Sequence, residues 1–225
     1  MKKTVIITGT NRGLGKSFVD FLIKDEDCFV ISLSRSLSEE QKAYSSRQFC
    51  FVEVDLADVT IIDKIAVLKD LIGEEPIYFI NNASIIDPIV KIEDLDEAAI
   101  DITISVNIKS TVLMTKYLLE NFSINPLIFV NISSGAANRA IGNWSLYCSS
   151  KAFIQMFFNT AKIEYKQHRF FNIDPGAMDT EMQKSLRATD FPESVKFKEL
   201  QQQGQLKEPI AAVEEILNAI KFFES

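Results

Sequence analysis

Residues 4–15 read Thr-Val-Ile-Ile-Thr-Gly-Thr-Asn-Arg-Gly-Leu-Gly, a β-branched apolar run that breaks at once into glycines at positions 9, 13 and 15. The run Thr4–Thr8 predicts a buried strand, and Leu14, Phe18 and Leu22 at helical spacing predict a helix directly after it. Glycines between a strand and a helix permit a tight turn, close approach of backbone N–H groups to a phosphate, and close helix packing. The helix then offers its positive N-terminus to an anion. Glycine collects in any turn, so the pattern is weak alone. Its place between strand and helix points to a nucleotide site.

Moving outward, short β-branched runs recur at Cys28–Ser34, Phe49–Val54, Ile77–Asn81, Leu127–Ile132 and Phe170–Ile173. Helical spacing fills the gaps, as in Ile61, Ile65, Leu68 and Ile72. Such alternation predicts a parallel sheet with helices on both faces. With no repeat or linker in the sequence, residues 1–225 are expected to form one domain. Helices expected at about 107–122 and 145–167 are apolar around more of their circumference than one sheet face requires. A two-fold dimer, or a tetramer, packing these helices together is therefore expected.

Composition removes several function classes. A net charge of -7 argues against nucleic acid or an anionic membrane as partner. No segment is apolar for long enough to span a bilayer, and the N-terminal run is too short for a signal peptide, so a cytoplasmic protein is expected. Cys28, Cys50 and Cys148 lack metal-ligand spacing, and the first two are expected to be buried thiols. The single histidine, His168, is expected at the surface at a helix end, which leaves neither a Ser-His-Asp triad nor a zinc site. No metal is expected.

A second informative stretch is residues 133–151, SSGAANRAIGNWSLYCSSK. Tyr147 and Lys151 are four apart and would share a helix face. An ammonium beside a phenol favours the phenolate and draws its pKa from about 10 toward neutrality, making the tyrosine a proton donor and acceptor. Alone, the pair reads more readily as an ordinary amphipathic helical pair. Ser134 follows the apolar run Leu127–Ile132 and would emerge at a strand end.

The second strand ends in Ser34-Arg35, without the carboxylate that usually accepts from an NAD ribose. Arg12 lies inside the glycine loop. Two guanidiniums near one ribose would attract the 2′-phosphate that distinguishes NADPH from NADH, although two solvated surface arginines read the same way.

Taken in order, these motifs resemble the short-chain dehydrogenase/reductase family over nearly the whole chain, most closely its sepiapterin reductase and benzil reductase branch. TGTNRGLG at 8–15 matches the family's cofactor loop, with Gly9, Asn11, Arg12, Gly13, Leu14 and Gly15 toward the nucleotide. Asp55-Leu56 stands where the family contacts adenine. Asn82 and Ala83 belong to Asn-Asn-Ala-Ser, similar to NNAG with serine for glycine. Pro175, Gly176, Met178 and Thr180 lie in PGAMDT, similar to the segment that holds the nicotinamide carboxamide. Asn107 matches the family's helix asparagine, which helps hold a water linking the lysine to solvent.

The resemblance implies a Rossmann-like doubly wound sheet of order 3-2-1-4-5-6. It implies NADPH/NADP+ as cofactor, a small-molecule carbonyl substrate, and Asn107, Ser134, Tyr147 and Lys151 as the catalytic set. Tyr147 would donate the proton, Ser134 would hold the carbonyl oxygen, and Lys151 would tune the tyrosine and bind ribose. The implied activity is reduction of a ketone or diketone. A regulator that binds NADP(H) without turnover, and an alcohol dehydrogenase, are the rival readings.

The substrate pocket is expected from Gly135–Trp144, from the segment after Pro175 and from about Met182–Phe197, with Trp144, Ile141, Met178, Met182 and Phe191 as candidate linings. Cys148 is expected to be packing. The usual seventh strand has no counterpart after the helix expected at Pro209–Phe223.

Overall fold

The computed structural model describes residues 2–224. Six strands form one parallel sheet: β1 (Lys3–Thr8), β2 (Cys28–Ser34), β3 (Phe49–Glu53), β4 (Ile77–Asn81), β5 (Leu127–Ile132) and β6 (Arg169–Ile173). Their order is β3-β2-β1-β4-β5-β6, the doubly wound arrangement expected from sequence. No seventh strand occurs among the described residues.

Strands β1, β4 and β5 are buried along their whole length, as a parallel sheet covered on both faces requires. Alternate residues serve opposite faces. Val5, Ile7, Tyr78, Ile80, Ile128 and Val130 pack toward α1 (Gly13–Leu22) and α9 (Pro209–Ala219), with Phe18, Leu22, Val213 and Leu217 opposite them. Ile6, Phe79 and Phe129 pack toward the other helical layer. That layer comprises α2 (Ile61–Ile65), α3 (Leu68–Leu71), α5 (Ser110–Asn121) and α6 (Ser145–Glu164). Phe129 anchors it, stacked on Phe170 at 4.6 Å and 5° and edge-on to Phe79 and Phe158.

Several expectations change. The crossover expected through Ile72 is two pieces, because i+3 hydrogen bonds at Ala66 and Lys69 tighten the backbone between them. Ile61, Ile65 and Leu68 stay buried across the break, so the apolar phase survives. The helix expected from residue 107 begins ten residues earlier. Asp96 caps it by accepting from Ala99 N at 2.7 Å, and α4 (Glu97–Ile104) runs through a π turn (Ser105–Lys109) into α5. Asn107 therefore sits inside the π turn.

His168 is buried, at 8% exposure, not at the surface. It ends a turn in which its N–H returns to Tyr165 O, and its ring stacks with Tyr165. Cys28 is buried, but Cys50 is only half-buried, and all three cysteines are free. Helix α9 stops at Ala219, where Lys221 takes the left-handed conformation (φ 57°) and a 3₁₀ turn, Phe222–Glu224, follows. Lys3 Nζ donates to Phe222 O at 2.5 Å, and Arg169 Nη2 donates to Ile220 O at 2.6 Å. These bonds fix the last turn at the N-terminal end of the strands.

Candidate active site

The other end of the sheet, where the strands finish, collects the chemistry. Three strands carry an asparagine within their last two residues, and the register places Asn81 beside Asn131 and Asn131 beside Asn172. Asn81 Nδ2 donates to Asn131 Oδ1 (3.1 Å), and Asn131 Nδ2 donates to Asn172 Oδ1 (2.8 Å). Thr111 Oγ1 on α5 donates to Asn81 Oδ1, while Asn172 Nδ2 donates to Gln155 O and Asn159 Oδ1 on α6. This ladder ties three strand ends to both neighbouring helices.

Asn82, next along, braces the glycine loop. Its Nδ2 donates to Thr8 O (2.8 Å) and Gly9 O (3.1 Å), and Thr8 Oγ1 accepts from both Asn82 N and Ala83 N. The space explains two glycines. Gly9 has φ +71°, and a Cβ on Gly15 would stand 2.1 Å from Gly9 O and 2.6 Å from Asn82 Nδ2. The loop is thus packed against β4 while its first-turn N–H groups remain at the helix start. Leu14 is buried in the core.

At the end of β2, the Ser34 hydroxyl is internal: it accepts from Thr10 Oγ1 and donates to Ser36 O. Asn11 Nδ2 reaches Ser36 Oγ at 3.2 Å. Arg12 and Arg35 are exposed and form no ion pair among the described residues. Asp55 Oδ1 caps its own turn by accepting from Ala57 N, and Leu56 packs on the α2 side of the core. A cleft of about 410 Å³ beside the loop is lined by Asn11, Arg12, Gly13, Lys16, Thr180 and Glu181, among others. A glycine-lined helix start beside a cleft that Arg12 and Lys16 help to line fits the phosphates of a dinucleotide.

Ser133 and Ser134 part company at the end of β5. Ser133 is buried, with its Oγ on Gln155 Oε1 at 3.2 Å. Ser134 turns the other way, to the Tyr147 phenol, and its Oγ also accepts from Ala136 N. Lys151 Nζ donates to Ile132 O at 2.9 Å and lies 5.6 Å from the Tyr147 ring centre. Asn107 completes the group from the π turn. Its Oδ1 accepts from Ile85 N, and its Nδ2 donates to Ile85 O and Ser150 Oγ, joining the β4 loop to α6. That bracing adds to what its sequence position implied.

The electrostatics differ from the sequence expectation. Burial pushes the Tyr147 phenol up to about 12, with the Ser134 hydrogen bond working against it and the Asp174 carboxylate adding to it. The phenol is not drawn toward neutrality. Burial also pushes Lys151 down to about 8, opposed by Asp174. Desolvation of the charged form is the largest cause at both groups.

Pro175 is buried, Gly176 has φ +78°, and Gly176 N donates to Asp174 Oδ1. Thr180 caps α7 (Glu181–Ala188) and lies across from Gly13. Met178 is not in the pocket: its backbone bridges to Lys207, and its side chain packs on the α1–α9 side. Trp144, Ile141, Phe191 and Met182 do come together, with Tyr147 and Cys148. Sequence reasoning missed Ile86 and Ile89 in this cluster; Leu186, and Phe197 of α8 (Ser194–Gln202) beside it, fall within the expected stretch Met182–Phe197. Trp144 stacks on Phe197 at 5.5 Å, and Arg139 Nη1 pairs with Glu193 Oε2 at 2.9 Å at the rim.

Residues 3–190 match the family described as short chain dehydrogenase. The chain is 30% identical over 218 residues to benzil reductase ((S)-benzoin forming) of Bacillus subtilis, across 91% of this chain and 87% of that one. It is 26% identical to the sepiapterin reductase of Bos taurus, across 96% and 88%. The crystal structure of the KRED1-Pglu enzyme superposes with a TM-score of 0.86 at 25% identity, covering 94% and 92%. No helix among the described residues is long and apolar enough to cross a membrane.

The buried lysine gives a signed expectation. Its pKa falls from the ordinary 10.5 to about 8 on folding, so between those values the unfolded chain binds more protons and stability rises with pH. Relative to Lys151→Met, the wild-type protein should gain stability from about pH 8 to about pH 10.5 in urea unfolding. A constant difference across that window refutes the assignment.

Proposed function

The chain belongs to the short-chain dehydrogenase/reductase family, and from that membership we propose that it is an NADPH-dependent reductase of ketones or vicinal diketones. The observation that carries the reading is the buried Tyr147 with Lys151 Nζ 5.6 Å from its ring centre, at the same sheet end as Ser134 and the glycine loop. The names of relatives that reduce benzil and sepiapterin support a conjugated carbonyl as substrate.

The bound cofactor supplies a hydride. The chain's own residues do the rest. A phenol held near 12 keeps its proton at neutral pH, so Tyr147 is loaded to protonate the carbonyl oxygen as negative charge develops there. Ser134 donates a second hydrogen bond to that oxygen. Lys151, still mostly cationic at pH 7, stabilises the phenolate left after transfer and serves the ribose hydroxyls. Asn107 is a positioning residue that fixes α6 and the β4 loop around them. Arg12 and Arg35 bind the 2′-phosphate; the glycine loop with Asn11, Asp55-Leu56, Asn82-Ala83 and Pro175–Thr180 frame the rest of the cofactor.

The assembly we propose is a homodimer. Phe153, Met156 and Ile163 form an exposed stripe at helical spacing on α6, at 48%, 64% and 73% exposure, with Ile102 and Ile104 exposed on α4. The face is therefore on α4 and α6, since Val112, Leu113 and Leu119 of α5 pack inward.

Tyr147→Phe should lower turnover of a diketone by about 10²–10⁴-fold while NADPH still binds; retained turnover sinks the mechanism. Arg35→Asp should weaken NADPH relative to NADH by about ten- to a hundredfold, read as the ratio of their Kd values. An unchanged ratio refutes the phosphate site. Light scattering at micromolar concentration should give at least twice the 25.4 kDa chain mass, and a monomeric mass removes the dimer.

A further inference from the structure

The glycine loop and the loop that follows β2 are fastened together by buried side chains. Thr10, fully buried, is gripped from both sides. Its hydroxyl donates to Ser34 Oγ at 3.1 Å and also bonds with Ser32 Oγ, while its carbonyl accepts from Gln41 Nε2 at 2.8 Å. Ser34 Oγ donates onward to Ser36 O, and Asn11 Nδ2 donates to Ser36 Oγ. Arg35 lies between Ser34 and Ser36, and Arg12 follows Thr10 by two residues. The fastened backbones are therefore the ones that carry the two arginines.

Gln41 is the unusual member of this network. It lies in a 3₁₀ turn (Glu40–Ala43) and is 1% exposed, although Glu39 and Glu40 beside it are in solvent. With Ser38 it forms the reciprocal pair of a capping box: Ser38 N donates to Gln41 Oε1 at 3.1 Å, and Gln41 N donates to Ser38 Oγ at 3.4 Å. That box uses only the carbonyl end of the side chain, and a glutamate would close it as well. The NH2 end is needed for the bond that leaves the turn and crosses to Thr10 O. A buried amide satisfied in one loop and donating into another holds the two backbones at a fixed spacing. We propose that Gln41 is a positioning residue for cofactor selectivity: it sets the spacing of the backbones that carry Arg35 and Arg12, and with it the preference for a 2′-phosphate. The inference rests on the NADPH reading above. Being buried, Gln41 acts through the two arginines.

Gln41→Met fills similar space without either amide function. It should raise the Kd of NADPH about tenfold and that of NADH by less than about twofold, measured by titrating the purified protein. A merely structural role would weaken both nucleotides alike, or neither, and either result overturns the inference. Should the variant not fold, the wild type decides. Adenosine 2′,5′-bisphosphate and 5′-AMP differ by the one phosphate. In ¹⁵N-labelled protein the first should shift the assigned Gln41 side-chain amide signals well beyond what the second does. Equal shifts, or none, overturn the inference. A wild type that binds NADPH no tighter than NADH removes the 2′-phosphate reading and this inference with it; a wild type that prefers NADPH, while Gln41→Met keeps that preference, removes this inference alone.

Discussion

Everything at the site hangs from the asparagine ladder across β4, β5 and β6. A parallel sheet bonds its backbones to one another, yet at the ends of its strands the chain must leave for loops whose directions the backbone does not dictate. Side-chain amides in register, each donating to the next, fix those departures relative to one another. Asn81 precedes the brace on the glycine loop, Asn131 precedes the two serines by two residues, and Asn172 precedes Pro175 by three. Thr111 and Asn159 close the ladder against α5 and α6. An amide row buried this deep is stable only when complete, because each missing member leaves its neighbours unpaired in a low dielectric.

Tyr147 and Lys151 are held in the opposite spirit. Both are kept dry, and each has its charged form disfavoured by that dryness. The lysine is not released to the phenol but is held by the Ile132 carbonyl, and the Asp174 carboxylate resists its deprotonation. The site therefore stores its proton on the phenol and its positive charge on the amine. A reductase needs that distribution before reaction, whereas an oxidising dehydrogenase would need the phenol ionised.

Much of this was legible in the sequence. β-branched runs gave all six strands within one residue at either end, because a strand buried on both faces has little but apolar content. The glycine loop was legible because Gly9 and Gly15 answer steric demands only glycine meets. The π turn around Asn107 was not, since an extra residue within a helix leaves the apolar period almost unchanged. His168 looked like a surface residue from its charged neighbour Arg169, but the turn after α6 carries it inward. Met178 was misplaced because a three-residue step along an irregular loop has no periodicity to follow. The ladder had a signal that went unread: three apolar runs each meet an asparagine near their end, in Phe-Ile-Asn-Asn, Phe-Val-Asn-Ile and Phe-Phe-Asn-Ile. The phenol's pKa was missed because charge proximity is visible in spacing and desolvation is not.

The clamp under the sheet has a practical consequence. Lys3 begins the first strand, and its ammonium grips the carbonyl of Phe222, so two positions 219 residues apart in sequence are neighbours in space. Both lie at the pole opposite the strand ends that carry Tyr147 and the glycine loop. A solid support coupled at this pole would hold the protein with the mouth of its site facing outward.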